Sequence, residues 1–137
     1  MGRHHGLIGA LCVLVLVLAV AAGYAELGRR HQQRLDARAS ALTRGDPSRG
    51  PAAIAHYGCG GCHTIPGITG AHGLVGPPLG GVGQRVYIAG QQRNSPDNLV
   101  SWIRYPRHVA PHTAMPEMGV TERDARDIAA YLYARGE

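Results

Sequence analysis

Two thiols and an imidazole fall within five residues at Cys59-Gly60-Gly61-Cys62-His63, and this cluster limits what the chain can become more than any other feature. On a helical turn, thiols at i and i+3 share one face. Each can add to a vinyl group of a haem, and the adjacent His63 is then set beneath the iron as an axial ligand. Rival chemistries fit less well. A tetrahedral zinc site takes four ligands, usually from two such pairs, and only one pair exists. A redox dithiol sits at a helix start in a βαβ setting, and no such pattern occurs. A structural disulfide stays open for an exported domain. Composition points the same way as the motif. The chain has no Phe and one Trp. A small domain with so thin a core needs a staple, metal or cofactor.

Not all of the chain can join that domain. Leu7 to Ala25 carries no charged residue and is built mainly from Leu, Val, Ala and Ile. As helix at ~1.5 Å per residue this run spans ~28 Å, close to the ~30 Å hydrocarbon core of a bilayer. That length favours a retained anchor, since cleaved signals have an apolar stretch of roughly 7–15 residues. Small residues at Ala19, Ala21 and Ala22 keep a cleavage site open. Cys12, preceded by Leu11, lacks a lipoprotein context and reads as a small apolar residue.

The net charge of +5 is carried by Arg alone among the basic residues, with no Lys. Residues 1–49 hold Arg3, Arg29, Arg30, Arg34, Arg38, Arg44 and Arg49 against Glu26, Asp36 and Asp46, a balance of +4. Residues 50–137 balance at +1. The basic excess therefore sits beside the apolar run, where it fits anionic lipid headgroups or a solvated helix face. It does not make the C-terminal domain a nucleic-acid binder.

Three zones follow: an anchor at 1–25, a polar Arg-rich stalk at 26–50, and a functional domain at 51–137. The stalk favours helix at Ala37, Ala39 and Ala41, extending the apolar helix in part. It is then broken at Gly45-Asp46-Pro47-Ser48. Pro51 suits a helix start, with Ala52 to Tyr57 helical. Residues 64–84 are dense in Gly and Pro and read as loop. Ser95-Pro96-Asp97 is a helix start, with Ser95 as cap; Leu99, Trp102 and Ile103 share a face, and Pro106 ends the helix. Thr121 with Asp124 resembles a capping box. Ala125, Ile128, Ala129 and Leu132 then recur at helical spacing. No clear strand emerges.

A ligand for the far side of the iron has to come from elsewhere in the domain. Met115 is the leading candidate, because Pro116 pushes it toward an extended conformation that can present a side chain inward. His72 and His112 are the alternatives for a two-histidine site, and Met118 reads as a packing residue. His56 and His108 lie beside helices and read as surface residues.

The span from Ala52 to Arg135 resembles a class I cytochrome c domain, an all-α fold of short helices and Gly/Pro-rich loops around one haem. It is especially similar to small membrane-anchored cytochromes c and to the haem domain of subunit II in some haem–copper oxidases. The motifs that carry this are CGGCH (59–63), GPPL (76–79), YIAG (87–90), SPDNLVSWIRYP (95–106), TAMPEMGVT (113–121) and AAYLY (129–133). The resemblance implies one haem c, covalent through Cys59 and Cys62, with His63 and Met115 as axial ligands. It implies that the Pro77 carbonyl accepts from His63 Nδ1–H, that Leu79 packs on the haem, and that Trp102 lines the pocket and offers its indole N–H to a propionate. Arg85 and Tyr87 are weaker propionate candidates, and Tyr131 and Leu132 read as core. Haem attachment also implies a domain outside the bacterial cytoplasm. The positive-inside rule applied to Arg29, Arg30, Arg34 and Arg38 gives the opposite orientation; the attachment motif is the more specific of the two.

With two protein ligands on the iron, the expected role is one-electron transfer, not chemistry on a small substrate. The expected partners are a quinol:cytochrome c oxidoreductase or soluble cytochrome and a terminal cytochrome oxidase. A small peroxidase would need an open iron position, which the Met115-Pro116 signal argues against.

Overall fold

The helix that begins in the apolar run does not stop where its apolar character ends. In the computed structural model, which describes residues 2–135 and their side chains from residue 7 onward, helix α1 runs Gly2–Thr43 without a break. Its large apolar side chains from Leu7 to Val20 are at least half exposed, and the helix is long and apolar enough to cross a membrane. Beyond this run Glu26 pairs with Arg29 at 2.6 Å and Arg30 at 2.7 Å, the i,i+3 and i,i+4 spacings that support an exposed helix.

The chain forms two compact units, one up to Arg34 and one from Leu35 onward. Residues 35–50, which composition alone places in a stalk, thus fall in the second unit. Ala39, Thr43, Pro47 and Gly50 are buried within it. Helix α1 closes with Arg44 in the left-handed region at φ 60°, the position where glycine is commonest.

Besides the last turns of α1, the described part of the second unit contains the helices α2 (Gly50–His56), α3 (Pro96–Arg104), α4 (Pro106–Val109) and α5 (Glu122–Ala134). Local sequence chemistry sets their ends. Pro51 opens α2 and Pro96 opens α3, where the missing N–H costs nothing. Ser95 Oγ accepts from Asn98 N at 3.2 Å, and Thr121 Oγ1 accepts from Asp124 N at 3.1 Å. Pro106 ends α3 as expected, and also starts the single turn of α4. One departure is a small antiparallel hairpin: β1 (Tyr87–Ile88) pairs with β2 (Gln92–Arg93) in the register Tyr87 to Arg93 and Ile88 to Gln92. Ala89 and Gly90, both at positive φ, make its turn. Two-residue strands leave no alternating pattern for a sequence reading to find.

The core forms where α2 and α3 pack on α5. Ile54, Leu99, Val100, Ile103, Ile128 and Leu132 are among its buried side chains from these helices, with Tyr131 beside them, and Ile65 and Val82 join from the segments between. Each aliphatic one contributes about 1.5–3 kcal/mol by leaving water. The α2–α5 crossing is close because position 50 lacks a side chain: a Cβ on Gly50 would collide with Tyr131. Tyr57 Oη donates to Asp124 Oδ2 at 2.9 Å and ties the end of α2 to the start of α5.

Several carboxyls are held below their ordinary range. Ser48 hydrogen bonds do this for Asp46, Arg126 for Glu122, and Thr121 followed by Tyr57 for Asp124. Such groups bind protons less readily folded than unfolded, so their contribution is present above the unfolded pKa of about 4 and lost as pH falls through the lower folded value. Thermal midpoints are expected to stay level from neutral pH to about 5 and to fall below about 4. A midpoint that rises on acidification would contradict this assignment.

Candidate functional site

Helix α2 delivers the cysteine pair. Buried Ile54 fixes the helix against the core, and Gly58, at φ 67°, turns the chain into a single 3₁₀ turn at Cys59–Gly61. The backbone N–H groups of Cys62 and His63 both donate to the Cys59 carbonyl, at 3.2 and 3.0 Å, closing the turn that sets both thiols and the imidazole in one place. Cys59 and Cys62 carry free thiols on the wall of a cavity of about 290 Å³. Burial pushes the Cys59 thiol above its ordinary range, with Cys62 adding to the shift. Redox-active dithiols depend on the opposite shift, toward thiolate.

His63 is oriented by the loop that follows. Its Nδ1–H donates to the Pro77 carbonyl at 2.7 Å. In the neutral ring this leaves Nε2 unprotonated and able to bind a metal. The loop reaches His63 because glycines let it. A Cβ on Gly73 would strike the backbone of Gly61 and Cys62, and a Cβ on Gly76 would strike the His63 ring. Gly73 N donates to Gly60 O at 3.1 Å, Gly76 N to Cys62 O at 2.8 Å, and Leu79 N to Thr64 O at 2.8 Å. Arg85 spans the far end of the loop, donating to the carbonyls of Pro78 and of Gly80, the latter at 3.0 Å.

All seven residues singled out by sequence line this cavity: Cys59, Cys62, His63, Pro77, Leu79, Trp102 and Met115. Arg85 and Tyr87 line it too. Trp102 is half-buried on α3. Met115 sits in the segment between α4 and α5, where its N–H donates to Thr113 Oγ1 at 3.2 Å. His72, His112 and Met118 are exposed and do not line the cavity, nor do the surface residues His56 and His108. Sequence reasoning missed two contributors. Gly76 stood inside a quoted motif, but only the packed structure shows the His63 ring lying against it. Asn94 also lines the cavity; its Nδ2 donates to Val82 O at 2.6 Å and Arg85 O at 2.9 Å, and its Oδ1 accepts from Tyr133 at 2.9 Å. It precedes the Ser95 cap and carries no motif of its own.

The donor set decides what the cavity can hold. Most of its wall is apolar, supplied by residues such as Ile54, Ile65, Val82, Leu99, Ile128 and Leu132, and no Asp or Glu lines it. Among the described residues no three His, Cys, Asp or Glu come together as a metal site. An imidazole nitrogen and a thioether cannot by themselves hold an ion in so apolar a place. A metal arriving with its own planar, apolar ligand fits both the donors and the walls, and two thiols could fix that ligand covalently.

Comparison with known proteins agrees with this chemistry. Over 75 residues the chain is 36% identical to cytochrome c oxidase subunit 2 of Alkalihalophilus pseudofirmus, an alignment covering 54% of this chain and 21% of that subunit. The matched region thus spans about a fifth of the relative's length. No solved structure gives a significant match. The sequence profile of the cytochrome c family matches residues 30–134, well over half the chain and every residue that lines the cavity. The chain belongs to the cytochrome c family, and with that membership come covalent haem c and haem-based electron transfer.

Proposed function

We propose that this protein is a membrane-tethered monohaem cytochrome that carries single electrons to a terminal oxidase. The observation behind this reading is the cavity lined together by Cys59, Cys62, His63 and Met115. Haem c bound there supplies a centre that gains and loses one electron. Cys59 and Cys62 would hold it through thioethers, with His63 Nε2 and the Met115 sulfur as axial ligands. A His/Met pair raises the potential. The Pro77 carbonyl would keep His63 in one tautomer and ring orientation. Leu79 would pack on the haem face, and Trp102 would wall the pocket and offer its N–H to a propionate. With His63 and Met115 both holding the iron, no position would remain for a substrate, so the protein would act as a carrier and not as an enzyme with its own reaction.

Residues 1–25 would anchor the chain, with polar residues between the anchor and the electron-transfer domain. The side chains that line the cavity all lie within 51–137. We place the domain on the outer face of the bacterial cytoplasmic membrane. There it would receive electrons from a quinol:cytochrome c oxidoreductase or a soluble cytochrome and pass them to a cytochrome oxidase. The similarity to an oxidase subunit supports the acceptor, and α1 supports confinement beside it.

That same similarity favours a second reading, in which the chain is a fixed subunit of an oxidase. Purification in mild detergent separates the two: constant stoichiometry with an oxidase marks a subunit, and recovery as a free chain able to reduce added oxidase marks a shuttle.

The intact mature protein is expected to exceed its polypeptide mass by one haem; a mass accounted for by amino acids alone would sink the whole reading. Met115→Ala is expected to lower the reduction potential by on the order of a hundred millivolts, within the ~0.8 V range that axial ligands command, and to let the reduced protein bind carbon monoxide. An unchanged spectrum and potential would remove Met115 as a ligand. Gly76→Ala should displace the His63 ring, cost about 1–3 kcal/mol, and reduce the yield of protein carrying haem. Full yield with an unaltered spectrum would show that the close approach at Gly76 is not needed.

A further inference from the structure

The segment 35–50 is ordered within the second unit, yet its grip is polar. The contiguous hydrophobic core draws on no side chain upstream of Ala53. What 35–50 buries is small: Ala39, Thr43, Pro47 and Gly50. Charged contacts do the rest. Asp36 pairs with Arg135 at 3.1 Å, Arg44 with Asp97 at 3.2 Å, and the Thr43 carbonyl accepts from Arg126 at 3.1 Å. The strongest grip is at Asp127 on α5, whose side chain is 2% exposed. Its carboxylate accepts from Asp46 N at 2.7 Å and from Arg49 Nε and Nη2 at 2.7 and 3.0 Å.

We propose that residues 35–49 form a releasable strap, latched by Asp127. Two features make the strap separable from the fold that carries the cavity. Arg49 is 56% exposed, so water can compete for its guanidinium from outside, whereas Asp127 beneath it cannot move to solvent without the strap lifting. Arg44 holds a left-handed backbone that an Arg side chain disfavours, and lifting the strap relieves it. Of the strap's two leucines, Leu42 is already 47% exposed and only Leu35 is half-buried, so opening brings little apolar surface into water and is easier than global unfolding. With the helical turns at 35–43 unwound as well, the freed segment spans roughly 20 Å end to end, which would lengthen the chain available between the anchor and the haem domain. Only this consequence for reach rests on the proposed membrane tether; the latch stands on the contacts alone.

Hydrogen exchange on the full-length chain in detergent or nanodiscs tests the latch, with visible absorption as an independent report on the cavity. In the wild type, amides of 36–49 are expected to exchange before those of α5. In Asp127→Asn and in Arg49→Gln they should exchange at least about tenfold faster, with α5, the 52–65 region and the spectrum unchanged. Arg49→Gln alters an exposed side chain and carries the test if Asp127→Asn does not fold. The proposal is overturned if the strap exchanges as slowly as α5 in the wild type. It also fails if Arg49→Gln leaves the strap rate unchanged, or if that variant speeds exchange evenly through the whole unit. Loss of the spectrum in the wild type would count against the electron-transfer reading and leave the latch to be judged on the exchange rates.

Discussion

The site depends on how closely the Gly73–Leu79 loop lies on the Cys59–Thr64 turn. Three backbone hydrogen bonds join the two segments, and two side-chain bonds add to them, from His63 to the Pro77 carbonyl and from Thr64 Oγ1 to the Gly73 carbonyl. This contact is possible only because positions 73 and 76 lack side chains. A free histidine ring after a cysteine pair would sample several rotamers and both tautomers. Here the loop selects one tautomer and supports the ring from the side. Arg85, holding the Pro78 and Gly80 carbonyls, keeps the loop itself from lifting.

What could be read from sequence was what short spacing encodes. The cysteine pair, the histidine beside it, and the caps at Ser95 and Thr121 are local, and each has a physical signature within five residues. Met115 stood out because Pro116 constrains it, and it lies on the cavity wall. The exposed positions of His72, His112 and Met118 were not legible, since burial depends on which segments meet. The same holds for the contact of Gly76 with the His63 ring and for Asn94, which bonds three separate segments through one amide. The start of the second unit was obscured for a different reason. Pro51 is a sound helix-start signal, but the residues before it are polar and pack through small side chains and charge, so they look like solvated spacer in composition.

Helix α1 joins two kinds of surroundings in one element. Its first half has exposed apolar side chains and a span suited to hydrocarbon, and its last turns bury Ala39 and Thr43 in the second unit. The basic residues just beyond the apolar run are partly balanced by Glu26, which pairs with two of them. The positive-inside rule counts Lys and Arg and gives little weight to acids. The attachment motif and this arginine-rich flank therefore point to opposite sides of a membrane, and the proposed topology follows the motif.

The contact of Asp127 with Asp46 and Arg49 also bears on the order in which the chain assembles. Its partners lie 81 and 78 residues upstream, among the longest sequence separations in the molecule. During synthesis those partners emerge well before the carboxylate that receives them, by 81 and 78 residues. Closing so large a loop is entropically costly until α2 and α5 have met. The seam around Asp127 therefore closes late, and the segment it secures spends a long time exposed on a nascent chain.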